Sequence, residues 1–258
     1  MSGHSKWAQI KRQKGVADAR RGQLFTKLTR EIIVATRQGG SNPEANFRLR
    51  LAIQRARDSN MPLDNIERAI KRGSGETEGA SLVELVLEGY GPGGTAILVQ
   101  ALSDNRNRTV QDIRHIFSRH GGSLGENGCV AWLFDPRGLI TVETGDLDAE
   151  ELALQAIDAG AEDVKVENNY VEIYTKPGEL ETVRATLEQK NLPIASAELS
   201  MVPKTMVELE ESTALQTLKL LDKLEELDEV QHVSSNADFA DSIVEKYQQK
   251  EGSFKREC

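Results

Sequence analysis

Gly138–Pro203 reads GLITVETGDLDAEELALQAIDAGAEDVKVENNYVEIYTKPGELETVRATLEQKNLPIASAELSMVP, and its changes of period decide the fold. GLITVET alternates in the manner of a strand, and DAEELALQAIDAG (148–160) has helical spacing. EDVKVEN and YVEIYTK are two strands with an Asn168-Asn169 turn between them. GELETVRATLEQKN is a helix and IASAELSMVP a strand. The order is β-α-β-β-α-β, the ferredoxin-like unit.

The segments on either side do not close by themselves. Upstream, LVELVLEGY (82–90) and TAILVQALS (95–103) are strands joined by the turn GPGG. TVQDIRHIFSRHGG (109–122) follows as a helix, with Val110, Ile113 and Phe117 on one face. Downstream, TMVELE, STALQTLKLLDKLEEL and EVQHVSSN read as strand, helix and strand without partners of their own. Joining the two sides completes a second α/β domain. Residues 133–204 are therefore expected to be inserted into a discontinuous domain of 80–132 plus 205–238, with 239–258 as a C-terminal tail.

Before all of this the period is helical. Residues 16–38 place Leu24, Phe25, Leu28, Ile32 and Ile33 on one side and Arg20, Lys27, Arg30 and Arg37 on the other. Gly39-Gly40 end that helix. Asn46–Ser59 is a second helix, and a third starts at Pro62 and stops at Gly73. GSGETEG (73–79) is a linker. The fold class is α+β and multidomain. A basic three-helix domain (1–75) is followed by two ferredoxin-like α/β domains, one inserted into the other.

The 258 residues carry a formal net charge of -9, but unevenly. Residues 1–75 hold 16 Lys and Arg against 6 Asp and Glu, a net of +10, and the remainder holds 16 against 35, a net of -19. Such polarity marks an end that faces nucleic acid or a membrane surface. No apolar run has the length needed to span a bilayer. The basic front has no apolar stretch behind it to make a secretory signal. Cys129 and Cys258 are the only cysteines, which suits a reduced, cytoplasmic setting better than a disulfide framework.

In the front segment GHSKWAQIKRQKGVADARRGQLFTK (3–27), Lys6, Lys11, Arg12, Lys14, Arg20, Arg21 and Lys27, with Arg30 beyond it, are candidates for phosphate contacts. Trp7 can either stack on an unpaired base or cap the helical bundle, and both remain open. His4 reads as an exposed tail residue. In SDNRNRTV, Arg106 and Arg108 lie between a strand and a helix that Thr109 would cap, and can hold phosphate or read base edges. GYGPGG lacks the Lys-Ser/Thr pair of a phosphate loop and reads as a hairpin turn; GGSLGENG reads as loop. The His and Cys residues have no zinc spacing, and no nucleophile elbow is present, so no metal, cofactor or catalytic site is expected.

GHSKWAQIK, DARRGQLFTKLTREI, NMPLDNIERAIKRG, GYGPGGTAI, SDNRNRTVQDIRHIFSRHGG and GCVAWLF resemble, in order and spacing, the YebC/PmpR family. The resemblance covers nearly the whole chain, from Gly3 to about residue 240. It departs where Arg12-Gln13 replaces the basic-His pair of many relatives, and in the segment from Tyr247 on. It implies three domains and a non-enzymatic role in gene expression. Some members are DNA-binding probable transcriptional regulators. Others are translation factors that act on the ribosome through rRNA or tRNA and ease difficult sequences such as proline runs; the mitochondrial translational activator of cytochrome c oxidase subunit I belongs with the family. Cytoplasmic location, no membrane partner and a monomeric or weakly associating state are the matching expectations.

Overall fold

The computed structural model describes residues 18–77, 81–145, 147–166 and 170–254, with side chains between 21 and 247. Three helices come first: α1 (Asp18–Gly39), α2 (Phe47–Asp58) and α3 (Leu63–Gly73). Leu28, Ile32, Ile33 and Ala35 of α1 bury against Leu49, Ala52, Ile53 and Ala56 of α2 and Ile66 and Ala69 of α3. Gly40, at φ 87°, takes the left-handed conformation that ends α1, its N–H donating to the Thr36 carbonyl at 2.8 Å. Asn46 ties the next turn. Its side chain accepts from Leu49 N at 3.0 Å, capping α2, and donates to Ala35 O and Gly40 O at 2.8 Å each.

The first sheet has the order β3-β1-β2-β9, all pairs antiparallel, with β1 (Val83–Tyr90), β2 (Ala96–Ser103), β3 (Ser123–Leu124) and β9 (Val230–Ser235). Gly93 and Gly94, at φ 71° and 74°, make the turn between β1 and β2. One face is covered by α4 (Arg106–Arg119) and α7 (Glu211–Glu225). Leu85, Leu87, Ile97 and Val99 there meet Ile113, Phe117, Leu218 and Leu221. Strand β2 is central and buried on both faces, which is why AILVQALS is almost continuously apolar. The strand order and two helices are ferredoxin-like, but β1 leads the chain here instead of following the first β-α-β step.

Between the halves lies a second antiparallel sheet, ordered β5-β6-β4-β7, from β4 (Phe134–Glu143), β5 (Asp163–Val166), β6 (Tyr170–Thr175) and β7 (Ile194–Pro203). Helices α5 (Ala149–Asp158) and α6 (Leu180–Gln189) pack on it through Leu152, Ala156, Leu180, Val183 and Leu187. This is the ferredoxin-like order expected from the period changes. The Asn168-Asn169 turn lies outside the described residues. The stretch read as the strand TMVELE keeps only β8 (Val207–Glu208), which pairs in parallel with β10 (Ala237–Asp238).

Two local readings change. The helix expected from Thr109 begins at Arg106, because Asn105 is its cap: the Asn105 side chain accepts from Arg108 N at 3.1 Å. Thr109 is buried instead, its hydroxyl 2.7 Å from Ser103 Oγ. Residues 239–258, expected as a tail, contain α8 (Asp241–Phe254), whose Ile243, Val244 and Tyr247 are buried in the first core. Those three residues fall at i, i+1 and i+4, one apolar side of a helix.

The ends of the insert meet: Lys204 N donates to Leu133 O at 2.8 Å. We propose that the expected domain limits are also folding units. A fragment 80–132 should be unfolded by circular dichroism, since it lacks the β9 partner of β2 and the α7 side of its core. Residues 80–133 joined to 204–254 by a short glycine linker should regain a cooperative melt. A stable, folded 80–132 fragment would sink the proposal.

Candidate nucleic-acid interface

Lys6, Trp7, Lys11, Arg12 and Lys14 lie outside the described residues, as does the side chain of Arg20. Arg21 is exposed on the first turns of α1. Lys27 and Arg30 do not point into solvent as the helical wheel suggested. Lys27 Nζ donates to Glu225 O at 2.6 Å, and Gln23 Nε2 donates to Glu226 O at 3.3 Å. These carbonyls close α7, where unpaired C=O groups and the negative end of the helix dipole favour a cation. Arg30 donates to Leu102 O at 3.2 Å and lies 3.5 Å from the Glu229 carboxylate. Arg108 reaches the same Glu229 oxygen at 3.0 Å and Asp104 at 2.7 Å. One carboxylate thus gathers an arginine from α1 and another from α4.

Helix α2 is docked in the same way. Arg48 pairs with Glu84, and Arg50 Nε lies 2.9 Å from Glu181. Arg55 lies 2.9 Å from Glu31 and 3.5 Å from Glu198, with His232 Nε2 at 3.4 Å. Burial opposes the Arg55 charge, and Glu31 and Glu198 outweigh it, so the guanidinium is held even more firmly protonated than usual. Arg48, Arg55, Glu31, Glu84, Glu198 and His232 line a cleft of about 330 Å³ where the helical unit and both sheets meet. The helix-wheel argument identifies residues turned away from the bundle's own core. It does not reveal that a second unit covers them.

Other cations stay outward. Arg57 on α2, Lys71 and Arg72 on α3, and Arg106 and Arg114 on α4 are exposed and have no ion-pair partner among the described residues. Arg106 is therefore presented at the start of α4, while its neighbour Arg108 is engaged. No group of His, Cys, Asp and Glu that could hold a metal ion occurs among the described residues. No described helix is long and apolar enough to cross a membrane.

One organising residue went unnoticed in the sequence. Glu88 is buried on β1, its carboxylate accepting from Gly128 N at 2.6 Å, Val130 N at 2.8 Å and Ala131 N at 2.7 Å. It folds the glycine-rich loop back over the sheet. The available signal was an acid in the apolar strand LVELVLEGY ahead of a loop rich in free N–H groups. Burial pushes the Glu88 carboxyl upward, but the three N–H donors outweigh it and hold the group below the ordinary carboxylate range.

Residues 5–76 match the family model described as TACO1/YebC protein N-terminal domain, and residues 82–237 match TACO1/YebC second and third domain. A probable transcriptional regulatory protein of Dehalococcoides mccartyi is 64% identical over 247 residues, covering 96% of this chain and 98% of that protein. A similarly named protein of Natranaerobius thermophilus is 51% identical over 248 residues, covering 95% and 99%. The crystal structure of a conserved hypothetical protein from Aquifex aeolicus is similar with a TM-score of 0.81 and 51% identity, over 87% of this chain and 93% of that one.

Two outcomes are expected. Arg30→Glu should cost about 1–3 kcal/mol by denaturant melts, because it sets a like charge on Glu229, whereas Arg106→Glu should stay within about 0.5 kcal/mol. Glu88→Gln should cost about 2–3 kcal/mol at neutral pH, since an amide cannot accept all three N–H groups. A depressed carboxyl stabilises the fold above its unfolded pKa of about 4.3 and loses that contribution as pH falls below it. The wild-type protein should therefore lose more stability than Glu88→Gln when acidified through that range.

Proposed function

The chain belongs to the TACO1/YebC family, and from that premise we propose that it is a non-enzymatic, nucleic-acid-binding regulator of gene expression. The observation that carries this is its polarity: a surplus of +10 in residues 1–75 against -19 in the rest. Part of that surplus is matched inside the fold by Glu84, Glu181, Glu198 and Glu229. The charges of the front segment suit a phosphate backbone, and exposed Arg57 of α2, with Arg106 and Arg114 of α4, adds outward-facing charge. Relatives bear the name of transcriptional regulators, which supports DNA as the partner.

A second reading, a ribosome-associated factor contacting rRNA or tRNA, has its own support. Helix α2 is not free to enter a groove, since Leu51 joins the core of the inserted sheet and Arg48, Arg50 and Arg55 are paired. Helix α3 mixes Asp64 and Glu67 with Arg68 and Lys71 along its exposed residues, a poor match to duplex phosphate. We keep the protein as a cytoplasmic monomer or weak oligomer in either reading.

Crosslinking in cells, with sequencing of the bound nucleic acid, tests both. Promoter DNA is the expected product under the first reading, and rRNA or tRNA under the second. Recovery of protein partners alone would remove both. In vitro, changing Lys11, Arg12, Arg20 and Arg21 together to Glu should weaken binding at low salt. It should also flatten the log K against log salt slope by about 0.7–0.9 for each phosphate that is no longer neutralised. An unchanged slope would mean that the front does not meet phosphate.

A further inference from the structure

The two faces of the inserted sheet are unlike. Side chains alternate along a strand. Ile140 and Val142 of β4 and Val171 and Ile173 of β6 point to one face, where α5 and α6 cover them with Leu152, Leu180, Val183 and Leu187. The alternate residues point the other way. Across the strands, Thr141 pairs with Glu172 and with Ser196, Leu139 with Tyr174 and with Glu198, and Glu143 with Tyr170. On β5, Asp163 and Lys165 stand opposite Tyr174 and Glu172.

This second face is buried in its middle. Tyr170, Glu172 and Tyr174 are 7%, 0% and 2% exposed. Neighbours within a sheet shield the flanks of a side chain, but its tip stays wet unless a second layer lies over it. Helices α5 and α6 are on the far side, so another part of the chain supplies that layer. Glu172 also sets what the layer is made of. A buried carboxylate is costly unless donors and cations meet it, and Tyr174 Oη supplies one donor at 2.7 Å.

The face is acidic as well. Glu143, Asp163, Glu172 and Glu198 stand on it. Of its cations, Lys165 lies 5.1 Å from the Tyr174 ring centroid, and Arg137 pairs with Glu162 at 2.7 Å. A nucleic-acid strand would meet like charge here. A basic segment would meet opposite charge, and the tyrosine faces add cation–π contact. Residues 1–17 are such a segment, with Lys6, Lys11, Arg12 and Lys14 and no Asp or Glu. Their reach is sufficient. Arg55 bridges Glu31 of α1, at 2.9 Å, and Glu198 on this face, at 3.5 Å, so α1 passes the sheet at Glu31. From there back to Asp18 the helix runs about 20 Å, at about 1.5 Å per residue. Residues 3–17 span up to about 50 Å when extended, enough to return along α1 and cross the face.

We propose that the basic front, residues 3–14, docks on this face of the inserted sheet and is thereby withheld from phosphate, an autoinhibitory contact that nucleic acid displaces. The displacement rests on the nucleic-acid-binding reading; the docking does not. The same lysines and arginines serve both partners, so the acidic face sets how readily the front is released.

Trypsin cleavage at Lys11, Arg12 and Lys14 of the full-length protein, without nucleic acid, reads the docking through the N-terminal peptides released, followed by mass spectrometry. The front should be cut about tenfold or more slowly than a synthetic peptide of residues 1–20. Glu143 and Asp163 are exposed, so Glu143→Lys with Asp163→Lys should restore most of the rate with little change in melting temperature. Glu172→Gln should act in the same direction. A parent front cut as fast as the free peptide, or a rate that the double variant leaves unchanged, would overturn the docking. With a labelled single-stranded RNA, the double variant should bind several-fold more tightly than the parent. That gain should vanish when Lys11, Arg12, Arg20 and Arg21 are also changed to Glu. A gain that survives this change comes from the added charge alone and would overturn the autoinhibition. A protected front in a protein that binds neither RNA nor DNA, in parent or variant, would support the docking and remove the functional reading.

Discussion

Glu229 sits where the helical unit meets the first sheet, with Arg30 of α1 on one side and Arg108 of α4 on the other. Its backbone carbonyl accepts from Leu102 N at 2.7 Å, so the same residue carries the end of β2 towards β9. The polarity of the chain is first of all an internal constraint. A basic helical segment and acidic α/β segments dock on each other, and Lys27 on the end of α7 and Arg55 between Glu31 and Glu198 repeat the arrangement. Single exposed pairs contribute little, but half-buried and shared ones cannot lose one member cheaply. The docking also selects which cations remain for an outside partner.

The insertion has a mechanical consequence. Because Lys204 N bonds Leu133 O, the inserted unit leaves and rejoins at one point, and Trp132 lies at that point. Motion of the inserted sheet relative to the first would act directly on the clamped segment 128–134. Helix α2 bridges both, through Leu51 in the inserted core and Arg48 on Glu84 of β1. The three units are therefore joined through side chains at one cleft rather than strung along linkers.

The uneven charge behind the candidate site was legible, but not which residues are free. Charge counts located the basic front, and the motif SDNRNRTV located Arg106 and Arg108. The arrangement that separates exposed Arg106 from engaged Arg108 comes from the Asn105 cap, which starts α4 four residues earlier than a Thr109 cap would. The wheel placed Lys27 and Arg30 off the bundle core correctly, yet a wheel knows nothing of α7. GGSLGENG and GCVAWLF looked like loop and family motif. Only Glu88 accepting three N–H groups shows that the segment is clamped onto the first sheet.

The sequence by itself determined most element types, the ferredoxin-like order of 138–203 and the split of charge, because period and composition are local properties. The unpartnered strand at 229–236 already required a distant mate. Tertiary structure decided how β9 meets β2, how α8 fills the core with Ile243, Val244 and Tyr247, and which arginines keep their charge for solvent. Those outcomes depend on contacts between residues far apart in the chain. Whether a cation finds a carboxylate within 4 Å is fixed only when every unit is in place.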